Sequence, residues 1–96
     1  MKVFHVYILE CSDKSYYTGF TSNLNKRYIQ HQTGYYKTCY TYHRRPLELV
    51  FMADFTDPLM GIAFEKQVKK WSRAKKKALI DGKLDDLVQL AKKKFK

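Results

Sequence analysis

The chain opens with a nearly continuous β-branched and aromatic run. Val3, Phe4, Val6, Ile8 and Leu9 predict a buried strand over Val3–Glu10. Ser12-Asp13-Lys14-Ser15 is a turn signal, and Tyr16–Phe20 predicts a second strand paired antiparallel to the first. Tyr7 and Tyr17 are an even number of residues apart, so a hairpin centred on Ser12 sets them opposite one another on one face. Thr21-Ser22-Asn23 offers an N-cap for a helix running to about Gln32, with Gly34 as its C-cap. In it Leu24, Tyr28 and Ile29 face the core, while Arg27 and His31, four apart, share a face. Polar, basic and tyrosine-rich, Gly34–Pro46 reads as an exposed loop with one short helical turn. A third strand over Leu47–Phe55 follows, its entry set by Pro46. Asp57-Pro58 is a helix start, and Met60, Phe64, Val68 and Trp71 recur at helical spacing as a buried stripe. Ser72 caps a further helical piece over Arg73–Ile80, Asp81-Gly82 breaks it, and a basic amphipathic helix spans 83–95. The order β-β-α-β-α-α-α predicts an α+β fold: a small three-stranded antiparallel sheet flanked by helices. Without a repeat, a long linker or a low-complexity tract, the chain reads as one domain over 1–96 with its core at about 3–80.

Charge narrows the function. Lysine and arginine number 19 against nine acidic residues, a formal net charge of +10. Such an excess on a small domain predicts a polyanionic partner, most often nucleic acid; the bland rival is a generally basic soluble protein. Seven of the twelve residues from Lys66 to Lys77 are basic, among them Lys66, Lys69, Lys70, Arg73, Lys75 and Lys76. Arg44 and Arg45 form another cluster, flanked by tyrosines able to stack on unpaired bases, and Lys92, Lys93, Lys94 and Lys96 a third. Patches of this kind hold phosphates without reading bases. No base-reading helix stands out, so selectivity for DNA structure is expected rather than for sequence. The longest apolar run is far short of the ~20 residues of a membrane span, and the N-terminus lacks a signal-peptide core, so no membrane partner and a cytoplasmic location are expected. The two cysteines, Cys11 and Cys39, read as free thiols. Together with His5 and His43 they lack the paired spacing of a zinc site.

The chemistry lies in a scattered set. Val6-Tyr7-Ile8-Leu9, then Tyr17-Thr18-Gly19, then Asn23-Leu24-Asn25-Lys26-Arg27 with His31, and Glu65 on a later helix, resemble the GIY-YIG nuclease superfamily. More narrowly, they resemble its small stand-alone bacterial members of the URI type. The resemblance covers about residues 3 to 80. It implies an α/β sandwich around a three-stranded antiparallel sheet and metal-dependent cleavage of DNA. His5-Val6 replaces the Gly-Ile of the first triplet, Thr18 replaces the middle Ile of the second, and no asparagine follows Asn25.

Each residue has a physical role in that reading. Tyr7 is the candidate general base, acting directly or through Tyr17. A free tyrosine has a pKa of about 10, so lowering it to about 7 needs ~4 kcal/mol of differential stabilisation of the phenolate. Arg27 can hold the scissile phosphate through two parallel hydrogen bonds and stabilise its growing charge. His31 can assist the nucleophile or steady the phosphate. Gly19 allows close backbone approach by a neighbour or the substrate. Glu65 is the only acidic residue between Asp57 and Asp81, with Gly61 one turn earlier leaving room beside it. Its carboxylate suits a single Mg²⁺ or Mn²⁺ ion that keeps most of its waters. The rival readings are ordinary strand tyrosines, a solvated arginine, and a Glu65 that merely pairs with Lys66, Lys69 or Arg73. Two phenols, a guanidinium and a carboxylate are thus expected to converge on one pocket of a DNA endonuclease acting on branched or single-stranded DNA. The alternatives are a catalytically idle nucleic-acid-binding module or an adaptor for protein partners in DNA repair or recombination.

Overall fold

The computed structural model describes residues 2–82. It is an α+β fold in which strands β1 (Phe4–Glu10), β2 (Tyr16–Thr21) and β3 (Glu48–Phe55) form an antiparallel sheet in the order β2-β1-β3. Three helices accompany it: α1 (Leu24–Gln32), α2 (Pro58–Lys69) and α3 (Arg73–Ile80). A single turn of 3₁₀ helix, Tyr42–Arg44, interrupts the long loop after α1. The expected basic helix over 83–95 lies outside the described residues. No described helix is long and apolar enough to cross a membrane.

Local chemistry sets the element ends. The Asn23 side chain accepts from Lys26 N at the start of α1, Asp57 accepts from Leu59 N ahead of Pro58 in α2, and Ser72 accepts from Lys75 N in α3. Thr33, rather than Gly34, is the C-cap of α1; Gly34 follows it with φ of 74°.

The hairpin is centred one residue later than the turn signal implies. Cys11 N bonds Ser15 O, Lys14 takes φ of 70°, and Glu10 pairs with Tyr16. Tyr7 therefore faces Gly19, while Tyr17 pairs with Leu9. The two tyrosines still share a face, but diagonally, with ring centroids 6.5 Å apart.

Helices cover both faces of the sheet. On one, Tyr7, Leu9, Cys11 and Leu47 form a buried cluster against Tyr17 and against Leu24 and Tyr28 of α1. Ile29 was expected there but is 60% exposed, because the helix rests on the face that carries Leu24, Tyr28 and His31. On the other face Phe64 of α2 meets Phe51 and Phe55. The buried line of α2 is Gly61, Glu65 and Val68, and Met60 is exposed. Gly61 is the cause. A Cβ there would come within 2.7 Å of the Phe20 ring, so the missing side chain lets α2 close on β2 along its own line. The room expected beside Glu65 is filled by Phe20.

Candidate active site

Tyr7 is 1% exposed in the central strand. Its ring lies flat across Gly19, where a Cβ would collide with the Tyr7 hydroxyl and Cζ. Glycine is therefore required at this position for packing: it gives the phenol a groove in the neighbouring strand. From above, α1 presents Arg27 and His31 one turn apart. The Tyr7 hydroxyl and His31 Nε2 are 3.0 Å apart, and His31 Nδ1 lies 3.0 Å from Thr41 Oγ1. Tyr17 meets the His31 ring edge-on at 5.2 Å, and the Tyr40 ring lies nearly parallel to that of Tyr17. The Arg27 guanidinium stands over the Tyr36 ring at 5.5 Å and close enough to Tyr7 to act on its hydroxyl.

The electrostatics of this cluster are those of a dry pocket beside a fixed cation. Burial pushes the Tyr7 pKa up to about 12, with the Arg27 charge and hydrogen bond opposing it. The Tyr17 phenol is also pushed up, by burial and then by the charges of Tyr7 and Cys39. Burial, then the Arg27 charge, holds His31 below the usual imidazole range, so it is neutral at pH 7 and has one nitrogen free to accept. Desolvation opposes ionisation of Cys39, but hydrogen bonds from Thr41, Tyr17 and the Tyr40 backbone outweigh it and lower the thiol.

Two clefts flank the cluster. A polar one of about 390 Å³ is lined by Thr21, Asn23, Lys26, Arg27, Gln30 and Tyr36, a set rich in phosphate donors. A more apolar one of about 300 Å³ lies along the edge strand β2, between Tyr16, Tyr17, Thr18 and Tyr40 and the amines of Lys69 and Lys76. Thr18 is buried, and its Oγ1 has no partner among the described residues.

The structure thus brings Tyr7, Tyr17, Gly19, Arg27 and His31 together. Glu65 makes no hydrogen bond or ion pair with them among the described residues. Its helix packs on the opposite face of the sheet, through Gly61 on Phe20 and Phe64 on Phe51 and Phe55. Its carboxylate is bound to Lys69 at 2.7 Å. Lys69 in turn lines, with Tyr17, Thr18 and Tyr40, the cleft along β2, so the Glu65 carboxylate borders the cleft that reaches Tyr17. A lone, nearly buried carboxylate fits a Mg²⁺ or Mn²⁺ ion that retains most of its waters, once Lys69 has moved aside; it does not fit an ion held by an all-protein cage.

The basic residues expected to hold nucleic acid also divide. Arg45 donates to Tyr42 O and Gln32 O, stacks on the Tyr42 ring, and packs against Gly34, so it fastens the loop to the end of α1. Arg44 binds Asp13 and Tyr40 O and lies 3.8 Å from the centre of the Tyr40 ring. Arg73 lies on Tyr16 and donates to Lys14 O, and Lys75 covers Trp71. These guanidinium groups are committed to internal partners. Lys66 and Lys70 are exposed, and Lys69 and Lys76 line the β2 cleft. His5, in the altered first triplet, is bound to Asp54 of β3 at 2.7 Å. Sequence reasoning missed Thr41, Cys39 and Tyr36: one threonine in a polar, aromatic loop carries no periodic or spacing signal.

Residues 3–78 match the model of the GIY-YIG catalytic domain. The chain is 51% identical over 77 residues to a UPF0213 protein of Syntrophus aciditrophicus, covering 79% of this chain and 87% of that protein. A UPF0213 protein of Halobacterium salinarum is 39% identical over 75 residues, covering 78% and 96%. The solution NMR structure of the UPF0213 protein BH0048 from Bacillus halodurans shares the fold, with 38% identity, a TM-score of 0.55 and coverage of 82% and 83%.

Proposed function

This chain belongs to the GIY-YIG catalytic-domain family, whose nuclease character suggests endonuclease activity, and from that premise we propose that it is a divalent-metal-dependent endonuclease cutting phosphodiester bonds in DNA by structure rather than sequence. The observation that carries this reading is the Tyr7 hydroxyl held against a neutral His31, beside Arg27, in a groove that only Gly19 permits.

With a pKa near 12, Tyr7 does not ionise in advance: bringing it to about 7 would take roughly 7 kcal/mol. The proton must therefore move during the reaction. Arg27 binds two oxygens of the scissile phosphate, drawn from the cleft it shares with Lys26, and so places the phosphorus beside the phenols. Tyr7 passes its hydroxyl proton to His31 Nε2 as it takes one from the attacking water, either directly or through Tyr17. The new phosphorus–oxygen bond forms, the bond to the leaving strand breaks, and the leaving oxygen takes a proton from solvent; His31 gives its proton back to Tyr7 as Tyr7 releases one to solvent. Arg27 stabilises charge on the phosphate oxygens throughout. Glu65 is the residue that would hold Mg²⁺ or Mn²⁺, which when bound supplies positive charge for the phosphate and the departing oxygen. Lys69 and Lys76 line the cleft through which a strand would pass round β2.

The test is plasmid and branched-DNA nicking with Mg²⁺ or Mn²⁺. The wild type is expected to cut, with Tyr7→Phe, Arg27→Ala and Glu65→Ala each strongly impaired. Equal cutting by all four proteins removes the reading. One observation favours a second: Glu65 is closed off by its ion pair with Lys69, as suits a module that binds nucleic acid without cutting it. Salt-sensitive DNA binding with no nicking under any divalent ion would select that reading.

A further inference from the structure

Thr41 is 1% exposed, although it lies in a loop of polar and aromatic residues. Its hydroxyl stands between two groups of the site: His31 Nδ1 at 3.0 Å and Cys39 Sγ at 3.4 Å. A threonine hydroxyl has one hydrogen to give and lone pairs to receive. Which neighbour receives that hydrogen decides the tautomer of His31.

The hydrogen bonds at the two ends set the direction. Thr41 Oγ1 donates to Cys39 Sγ at 3.4 Å, and at the other end the buried Tyr7 hydroxyl has His31 Nε2 as its hydrogen-bond partner. With Sγ accepting in that bond, the Thr41 hydrogen points to Cys39. Thr41 Oγ1 is then free to accept from His31, which must carry its hydrogen on Nδ1. Nε2 is left with its lone pair facing the Tyr7 hydroxyl at 3.0 Å. Every step has one direction: Tyr7 O–H to His31 Nε2, His31 Nδ1–H to Thr41 Oγ1, Thr41 O–H to Cys39 Sγ. In the opposite tautomer Nδ1 would need the Thr41 hydrogen, leaving Cys39 without it, and Nε2–H would oppose transfer from Tyr7.

We propose that Thr41, oriented by Cys39, is a positioning residue that fixes His31 in the Nδ1–H tautomer and so keeps Nε2 ready for the Tyr7 proton. The inference rests on the nuclease reading for its purpose but not for its test. A proton acceptor with the wrong tautomer is useless whatever its pKa, so one buried hydroxyl controls whether the dyad works. Among the described residues, the charged and titratable groups facing His31 are Tyr7 from β1, Tyr17 from β2, Tyr36 from the loop and Arg27 from its own helix, with Cys39 reaching it only through Thr41. Thr41 adds no charge to that set, so removing it changes orientation rather than the local field.

The decisive measurement is ¹⁵N NMR of the His31 imidazole in the metal-free protein, which reads the tautomer without catalysis. Wild type is expected to be Nδ1–H. Thr41→Val keeps the shape and removes the hydroxyl, so it should give a mixed or Nε2–H population; Thr41→Ser should restore Nδ1–H. If Thr41→Val does not fold, Cys39→Ala gives the same answer, because losing the sulfur acceptor frees the Thr41 hydrogen to turn toward Nδ1. In nicking assays Thr41→Val should lower kcat roughly tenfold to hundredfold with little change in KM, rescued by serine. An Nε2–H wild type, or a tautomer indifferent to both substitutions, overturns the proposal. If the tautomer behaves as expected but no DNA is cut, the positioning role stands and the nuclease reading alone fails.

Discussion

The two faces of the sheet solve different problems. The α1 face carries a hydrogen-bonded network in which tyrosine, histidine, threonine and cysteine each have a defined partner. The α2 face is an aromatic packing layer of Phe20, Phe51, Phe55 and Phe64, and the one buried carboxylate of that helix, Glu65, is neutralised by Lys69. One face is organised before any substrate arrives. The other must break an ion pair before Glu65 can serve anything else. The contrast teaches that the faces can be separated by experiment: chemistry should fail abruptly when the first is damaged, while the second should respond to whatever competes with Lys69.

The sharpest way to break the comparison is on the α1 face. Arg27→Ala and Tyr7→Phe should each lower the nicking rate by about 10² to 10³ while leaving circular dichroism unchanged, since these groups act on the phosphate and the proton. Rates close to wild type would reduce that network to packing.

The next effect is on stability at high pH. Tyr7 is raised to about 12 when folded against an unfolded value near 10. Its contribution is therefore fully present below pH 10 and is lost as pH rises toward 12. The loss is about 3 kcal/mol for two units. Alkaline unfolding followed by tyrosine absorbance should show it, and Tyr7→Phe should remove that share of the pH dependence. Gly19→Ala comes third. Its Cβ meets the Tyr7 ring, so overpacking should cost ~2 kcal/mol in urea unfolding and pull Tyr7 off His31.

The smallest effect sharpens the other face. Lys69→Met frees Glu65, and Mn²⁺ binding followed by electron paramagnetic resonance should tighten by about tenfold, the equivalent of ~1.4 kcal/mol. Unchanged Mn²⁺ binding in that variant would remove Glu65 as the metal station.

Much of this architecture was legible along the chain, for physical reasons that differ by element. The helix starts at Asn23, Asp57-Pro58 and Ser72 are local events, decided within four residues, and they fall where the capping pattern sets them. Arg27 and His31 share a face because helical geometry leaves no choice. The hairpin register escaped by one step, because the positive φ of Lys14 lengthens a turn that side-chain identity does not mark. The face on which α2 packs depends on the path of the chain after β3, which no spacing encodes, so the pairing of Glu65 with Lys69 beside the β2 cleft was hidden. Thr41 was hidden too: its importance comes entirely from neighbours distant in sequence. Arg44 and Arg45 fold back onto carbonyls and rings, which a count of positive charges does not reveal.

That last feature alters how the protein would grip a polyanion. The arginine forks most suited to rigid, bidentate capture are already occupied on Tyr40, Tyr42 and Tyr16. What remains outward on α2 are ammonium groups on long flexible stems, point charges with no preferred angle of approach. A strand held that way is released by modest salt and can move along the surface between encounters, so the directional hold is left to Arg27 at the place where a cut would be made.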